Sequence, residues 1–341
     1  MARSEITIDL GALRHNVRRL LDALAGAELW AVVKADGYGH GAVDIGTAAL
    51  AEGASALCVA TVAEGLSLRR ALAGARILVL GPTDQVREAT QARLELCVSG
   101  GPIPTGVPVH LELDTGMGRY GFAELPPLTD NVVGLMTHLA TADRNEAFAR
   151  LQLERFRAAV EGAGPALTRH AANSAAALRL PEARLDAARC GIALYGLSPF
   201  RCDPADDDLR PVLSWRSELA AVRRLRSGES TGYGRRFVSV GETWIGLVPV
   251  GYVDGFRRDL TGTQVLVGGE RCRVIGTVSM DSFAVGLPRE LPVGTPVTLI
   301  GEGLPAEEHV RVAETITYEL VSRIESGPER AERTVVDARA R

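Results

Sequence analysis

Eight short apolar runs, near residues 29–34, 56–60, 76–80, 94–98, 109–113, 132–137, 166–170 and 186–190, recur with helical stretches between them. Runs without polar alternation are the pattern of strands buried on both faces. Eight of them alternating with helices predict an α/β chain whose first part is a (β/α)8, TIM-like barrel. A doubly wound sheet shares this periodicity, but no Gly-x-Gly-x-x-Gly follows the first run. The helix between the sixth and seventh runs is clear, with Ala149, Leu153, Phe156 and Val160 on one face. Ahead of the barrel, Ile6, Thr7 and Ile8 alternate into Asp9, which can cap a helix. In that helix Leu13, Val17, Leu20 and Leu24 hold one buried face, and Arg14, Arg18 and Arg19 point elsewhere.

The texture changes after Gly196. Residues 198–211 hold three prolines and the run Asp206, Asp207, Asp208, the composition of a solvated linker. Short β-type runs follow at 219–225, 244–250, 264–267, 272–278 and 296–300, separated by Gly and Pro turns, with a late helix near 309–324. The chain therefore divides into a barrel over residues 10–209 and a β-rich C-terminal domain over 210–341.

Lysine is nearly absent. Of 38 lysines and arginines in 341 residues, Lys34 is the only lysine. Arginine replaces lysine as a surface charge but not where an ammonium must lose its proton, so a surviving lysine points to a base or a Schiff-base partner. Chance survival is the alternative, and the neighbourhood weighs against it. The apolar run Leu29 to Val33 ends at Lys34, and glycines follow at 37, 39 and 41. A lysine ending a parallel strand sits where α/β barrels keep their chemistry. The turn after it can bring N–H groups to a phosphate, though a P-loop has its lysine after the glycines.

Composition excludes other classes. The chain is 46% hydrophobic and 23% charged with a net charge of −4, which gives no attraction to nucleic acid or an anionic membrane. No apolar run approaches a membrane span, and the N-terminus lacks the apolar core of a signal peptide. The cysteines at 58, 97, 190, 202 and 272 form no Cys-x-x-Cys pair, so neither disulfides nor a zinc site is expected and a cytoplasmic location fits.

The stretch from Val32 through Lys34, Asp36, Tyr38 and His40 to Gly41 resembles the cofactor signature of the alanine racemase family. There the lysine carries pyridoxal 5'-phosphate as an internal aldimine. The resemblance extends over nearly the whole chain and implies a barrel plus β-domain layout, with strand 1–9 joining the second domain. The segment His110 to Gly121 resembles the motif whose arginine, here Arg119, holds the substrate carboxylate. Many family members have a carbamylated lysine where this chain has Glu112, so an unmodified carboxylate is expected to support Arg119 without carbon dioxide. His138, after the sixth run, matches a histidine that contacts the catalytic tyrosine. His170, Asn173 and Ser174 resemble the phosphate-binding segment. Arg189, Gly191 and Ile192 resemble the segment that faces the pyridine nitrogen and completes the phosphate cradle. An arginine there disfavours protonation of the ring and favours return of a proton at Cα.

In the second domain, Tyr233 between Gly232 and Gly234 matches the second catalytic base, which reaches the other subunit's site. Met280 and Asp281 match a substrate-binding segment, Tyr252 an entrance position and Tyr318 a cofactor position, while Tyr38 is a further cofactor contact. The tail after Ile324 departs from the family's basic, proline-containing ending. The resemblance thus implies a homodimeric isomerase that interconverts L- and D-alanine, supplying D-alanine, with Lys34 and the partner's Tyr233 as its two bases. It implies no metal. A racemase of serine or lysine, a cofactor-homeostasis protein built on the barrel alone, and a decarboxylase of this fold type are the alternatives.

Overall fold

The first strand, β1 (Ser4–Asp9), leads into the helix Leu10–Leu24, and eight further strands then close into a parallel barrel in chain order. They are β2 (Glu28–Val32), β3 (Ala56–Val59), β4 (Ile77–Val79), β5 (Glu95–Val98), β6 (Val109–Glu112), β7 (Val132–Met136), β8 (Thr168–His170) and β9 (Ala187–Cys190), with β9 pairing back onto β2. All eight lie where the apolar runs place them. The structure, a computed structural model, describes residues 3–337. These fall into two units, Ala12–Arg210 and a second one that combines the chain up to Gly11 with the residues from Pro211 onward.

The expected helices form for the expected reasons. Asp9 Oδ1 accepts the Gly11 N–H at 2.7 Å, capping Leu10–Leu24, and Leu13, Val17, Leu20 and Leu24 are buried. In the helix Glu146–Ala159, Ala149, Leu153 and Phe156 are buried, as is Val160 just beyond it. The helix Val62–Ala71 opens with a capping box between Thr61 and Glu64. Within the barrel, Trp30 of β2, His110 of β6 and His170 of β8 form one buried aromatic layer, with Trp30 centroids 5.5 and 4.5 Å from the two imidazoles.

Residues 198–211 are not a solvated linker. Pro204 and Leu209 are buried, and Asp207 receives two 3.1 Å hydrogen bonds from Arg179. The acidic run is thus partly a buried ion-pair anchor, which its local composition could not reveal.

The second unit is a nine-stranded sheet. Its order is Ala221–Leu225, Thr243–Val248, Phe283–Leu287, Glu270–Ile275, Gln264–Val267, Pro296–Ile300, Leu213–Glu218, β1 and Ala331–Val336. β1 pairs antiparallel with Leu213–Glu218 and parallel with Ala331–Val336. Phe256 stacks on Phe283 at 4.3 Å beside the buried Trp215, at the centre of its core. The single helix expected near 309–324 is two, Ala306–Val312 and Thr317–Val321. They are parted where Glu314 adopts φ 50°, outside the right-handed helical region. Among the described residues, no helix is long and apolar enough to cross a membrane.

Candidate active site

The C-terminal ends of the barrel strands gather most of the residues singled out above. Lys34 directly follows β2 and Val33. Burial holds its amine below the ordinary lysine range, the Arg119 charge pushes the same way, and Glu64 opposes both. Tyr38 is buried with its ring 4.9 Å from that of Tyr195, whose hydroxyl donates to the Val32 carbonyl at 2.9 Å.

Arg189 of β9 is buried, and its guanidinium donates to four neutral acceptors. Nη1 reaches His170 Nδ1 at 2.7 Å and the His170 carbonyl at 3.0 Å; Nη2 reaches the Thr137 carbonyl at 2.8 Å and His138 Nδ1 at 3.2 Å. A guanidinium has no acceptor, so both imidazoles present a bare Nδ1 to it and carry their proton on Nε2. His170 Nε2 then donates to His110 Nδ1 at 2.9 Å, and His110 Nε2 donates to Glu95 Oε2 at 2.9 Å. Glu95 Oε1 accepts from Arg76 Nε at 2.8 Å. One directional chain therefore runs from Arg189 through two histidines to a carboxylate at the start of β5.

Burial, followed by the Arg189 charge, holds His138 down to about 3 and His170 well below the imidazole range. Burial also lowers His110. For Glu95, burial opposes the charge, but hydrogen bonds from His110 and Arg76 prevail and keep it below the ordinary range. His138 is consequently a neutral imidazole with an Nε2–H donor. Sequence reasoning missed the roles of His110 and Glu95. The available signal was an ionisable group inside an apolar strand, which requires a partner.

A cradle of N–H groups forms after β8 and β9, at the same end of the barrel as Lys34. Ser174 Oγ accepts from the N–H groups of Gly191 (3.0 Å) and Ala193 (3.3 Å), and Asn173 Oδ1 caps Ala176 N at 3.1 Å. The N–H groups of Ser174 and Ala175 open a helix and have no carbonyl one turn back. A Cβ at Gly191 would stand 2.6 Å from the Tyr38 hydroxyl, so glycine keeps this corner open, with Ile192 next to it.

Arg119 and Glu112 are not joined. The Glu112 carboxylate accepts from Ser99 Oγ at 2.7 Å. Asp114 gathers the N–H groups of Gly116, Met117 and Gly118, forming a tight turn after which Arg119 is exposed, its guanidinium 5.6 Å from the Tyr120 ring centroid. The expected support of Arg119 by Glu112 is therefore not a direct ion pair among the described residues.

The other candidates belong to the second unit. Tyr233 is 74% exposed between two left-handed glycines, with its carbonyl held by Thr277 Oγ1 at 3.2 Å. Tyr252 and Met280 are also exposed, and the Tyr252 N–H donates to the Ser279 carbonyl at 3.1 Å. A Cβ at Gly251 would lie 2.2 Å from the Met280 carbonyl, so a glycine permits this approach. Asp281 accepts from Arg330 at 2.8 Å, which holds its carboxyl below the ordinary range. Tyr318 lies on the helix Thr317–Val321. Tyr252 also lines a cavity of about 930 Å³ with Arg236, Arg257, Arg258 and Arg323.

A closed barrel with a desolvated lysine and an N–H cradle at its C-terminal end, accompanied by a β-rich unit, defines a class of α/β-barrel enzymes. Comparison with known proteins narrows the class. Residues 8–199 match the model of the alanine racemase N-terminal domain, and residues 212–333 match that of the C-terminal domain. An alanine racemase of Symbiobacterium thermophilum is 41% identical over 93% of both chains. Alanine racemase 1 of Bacillus subtilis is 38% identical over 94% of this chain and 90% of its own. Among solved structures, alanine racemase from Streptomyces coelicolor A3(2) superposes with a TM-score of 0.89 at 38% identity over 98% of each chain. That from E. faecalis also gives 0.89, at 35% identity over 98% of each chain. The chain belongs to the alanine racemase family.

Proposed function

We propose that this chain is a racemase interconverting L- and D-alanine, using pyridoxal 5'-phosphate held on Lys34 and working as a homodimer. The observation that carries the reading is the sole lysine of the chain, half-buried at the C-terminal end of β2, the barrel end that also holds the Ser174–Gly191 cradle. The family uses this cofactor, and the residues fit it. The N–H groups around Asn173, Ser174, Gly191 and Ile192 suit a phosphate, with Tyr38 and Tyr318 as further contacts. Arg189 is a buried cation whose Nη1 and Nη2 hydrogen bonds go to neutral groups, which suits the lone pair of a pyridine nitrogen. When bound, the cofactor acidifies the Cα–H bond of the attached amino acid.

Racemisation requires that a proton leave one face of Cα and return to the other. Lys34 Nζ handles the proton of the D enantiomer, and Tyr233 of the partner subunit that of the L enantiomer. A free phenol ionises near 10, so Tyr233 needs assistance. His138 is suited to give it: with Nδ1 occupied by Arg189, its Nε2–H can donate to a phenolate oxygen. With the cofactor bound, Arg189, a permanent cation, would disfavour a proton on the ring nitrogen and so favour return of the proton to Cα. Arg119, with Met280 and Asp281 of the partner subunit, binds the substrate carboxylate, while Glu112 and Tyr252 support the site. The exposure of Tyr233, Tyr252 and Met280 on one unit supports an assembly that covers them. The barrel and β-rich domains are read as 10–209 and 210–341 with strand 1–9. The five cysteines are free, which suits a reducing cytoplasm.

The test incubates the protein with pyridoxal phosphate and separate L-amino acids in heavy water, following Cα exchange and enantiomer ratio together. Alanine should exchange and racemise fastest, with both lost in Lys34→Ala. Faster turnover of serine or lysine would replace the substrate, and exchange with retained configuration would remove Tyr233 as the second base.

A further inference from the structure

The turn after Lys34 winds to the left. Ala35, Asp36, Gly37 and Tyr38 have φ values of 51°, 49°, 62° and 53°, and Gly39 follows at 80°. Three of these residues carry a Cβ, for which this conformation is unfavourable. Such a turn persists only where its surroundings hold it. Within it, Gly37 N donates to the Val33 carbonyl at 2.8 Å, Gly39 N to the Ala35 carbonyl at 3.0 Å and Gly41 N to the Asp36 carbonyl at 2.8 Å. The N–H at its head, on Ala35, goes instead to Glu64 Oε1 at 2.8 Å. The other oxygen, Oε2, accepts from Ala60 N at 2.7 Å and Thr61 N at 3.2 Å. A capping box needs only one of these oxygens. The second ties the turn after β2 to the turn after β3.

We propose that Glu64 is a positioning residue: its carboxylate fastens the left-handed turn and thereby fixes where Lys34 stands at the end of β2. The catalytic consequence rests on the reading of Lys34 given above; the structural link does not. Both oxygens act as acceptors, so glutamine is no substitute. It offers one acceptor and turns an amide donor toward an N–H. Thr61→Ala provides the contrast, since it removes the bond from Glu64 N to Thr61 Oγ1 and leaves the three bonds to the carboxylate in place.

The experiment is hydrogen–deuterium exchange on the full-length protein with cofactor added, read in a peptide spanning residues 33–42. Glu64→Gln should speed exchange there about tenfold, while Thr61→Ala leaves it at the wild-type rate. In Glu64→Gln, kcat should fall about tenfold or more with KM little changed, as expected when a reacting group is misplaced. Equal opening by both variants would overturn the proposal by reducing Glu64 to a helix cap, as would unchanged exchange in Glu64→Gln. Should Glu64→Gln fail to fold, Glu64→Asp, one methylene shorter, is judged on the same peptide by the same outcomes. If alanine proves not to be the substrate, the exchange result still decides whether Glu64 holds the turn, so the two readings fail separately.

Discussion

Gly134 of β7 lies opposite His110 of β6, and a Cβ built on it would stand 2.0 Å from His110 Nδ1 and 2.5 Å from Cε1. The imidazole thus fills the space that a side chain at 134 would take. For Gly134→Ala, the ring must retreat by about 1.4 Å to reach ordinary contact near 3.4 Å. It is held by 2.9 Å hydrogen bonds to His170 and Glu95 and flanked by Trp30, so such a retreat breaks both bonds. Leaving those partners unmet costs about 1–3 kcal/mol each, and overpacking adds about 1–3 kcal/mol. Taking about 4 kcal/mol in all, a unit the size of the barrel should melt roughly 8–16 °C lower. Elsewhere in a strand, the same substitution stabilises by about 0.5 kcal/mol through the unfolded chain, so the sign alone discriminates. The assay is a thermal unfolding scan with nitrogen-15 NMR of the imidazoles. An unchanged or raised Tm with intact His110 and His170 signals would refute the reasoning.

The remaining expectations concern charge. His138 ionises at about 3 when folded and near 6.5 when unfolded, so its contribution to stability is complete above pH 6.5 and is lost as pH falls toward 3. At pH 5 the loss is about 2 kcal/mol, and urea unfolding of His138→Asn should lack that part of the slope. Glu95→Gln keeps the size of the side chain but must turn its amide toward either His110 or Arg76. Imidazole nitrogen-15 shifts should then show a disturbed chain as far as His170, and wild-type shifts would show that the carboxylate sets no direction. Glu112 is a carboxyl side chain that needs no carbon dioxide to form, so removing dissolved carbon dioxide should leave activity unchanged; a bicarbonate-dependent recovery would contradict this.

What could be read from the sequence follows from how local its causes are. Barrel strands such as Ala56–Val59 and Ile77–Val79 are buried throughout and read as plain apolar runs. The strand Ala331–Val336 is an edge strand with mostly exposed residues, so its sequence carries no such signal. Leu213–Glu218 is similarly broken by Arg216, whereas Phe283–Leu287 is legible as an apolar run. The importance of Lys34 was visible because a lone lysine among arginines is a property of composition. The left-handed winding of Ala35, Asp36 and Tyr38 was not, because none of the three prefers it and the holding carboxylate comes from Glu64, 29 residues on. Asp207 was misplaced for the same reason, its partner Arg179 lying on a separate element.

The hydrogen-bond chain from Arg189 to Glu95 bears on the asymmetry that racemisation demands. A guanidinium can only donate, and the Glu95 carboxylate accepts from both His110 and Arg76. The two histidines between Arg189 and Glu95 therefore have a single consistent pair of tautomers. The same guanidinium leaves His138 with its proton on Nε2. Two different consequences thus follow from one buried cation. It is a fixed charge at the end of β9, and it makes His138 a fixed Nε2–H donor, the group proposed above to assist Tyr233. Arg189 acts on Lys34 as well, but there desolvation and the Arg119 charge come first, and Glu64 holds the turn that follows it. If Lys34 and Tyr233 are the two proton carriers, as proposed, Arg189 and its hydrogen-bond chain weigh more on the tyrosine through His138 than on the lysine, and a substitution at Glu95 should disturb the tyrosine side more. Deuterium uptake into unreacted L-alanine and unreacted D-alanine, measured separately, tests that division: Glu95→Gln should slow uptake into L-alanine more, and equal slowing would place both carriers under common control.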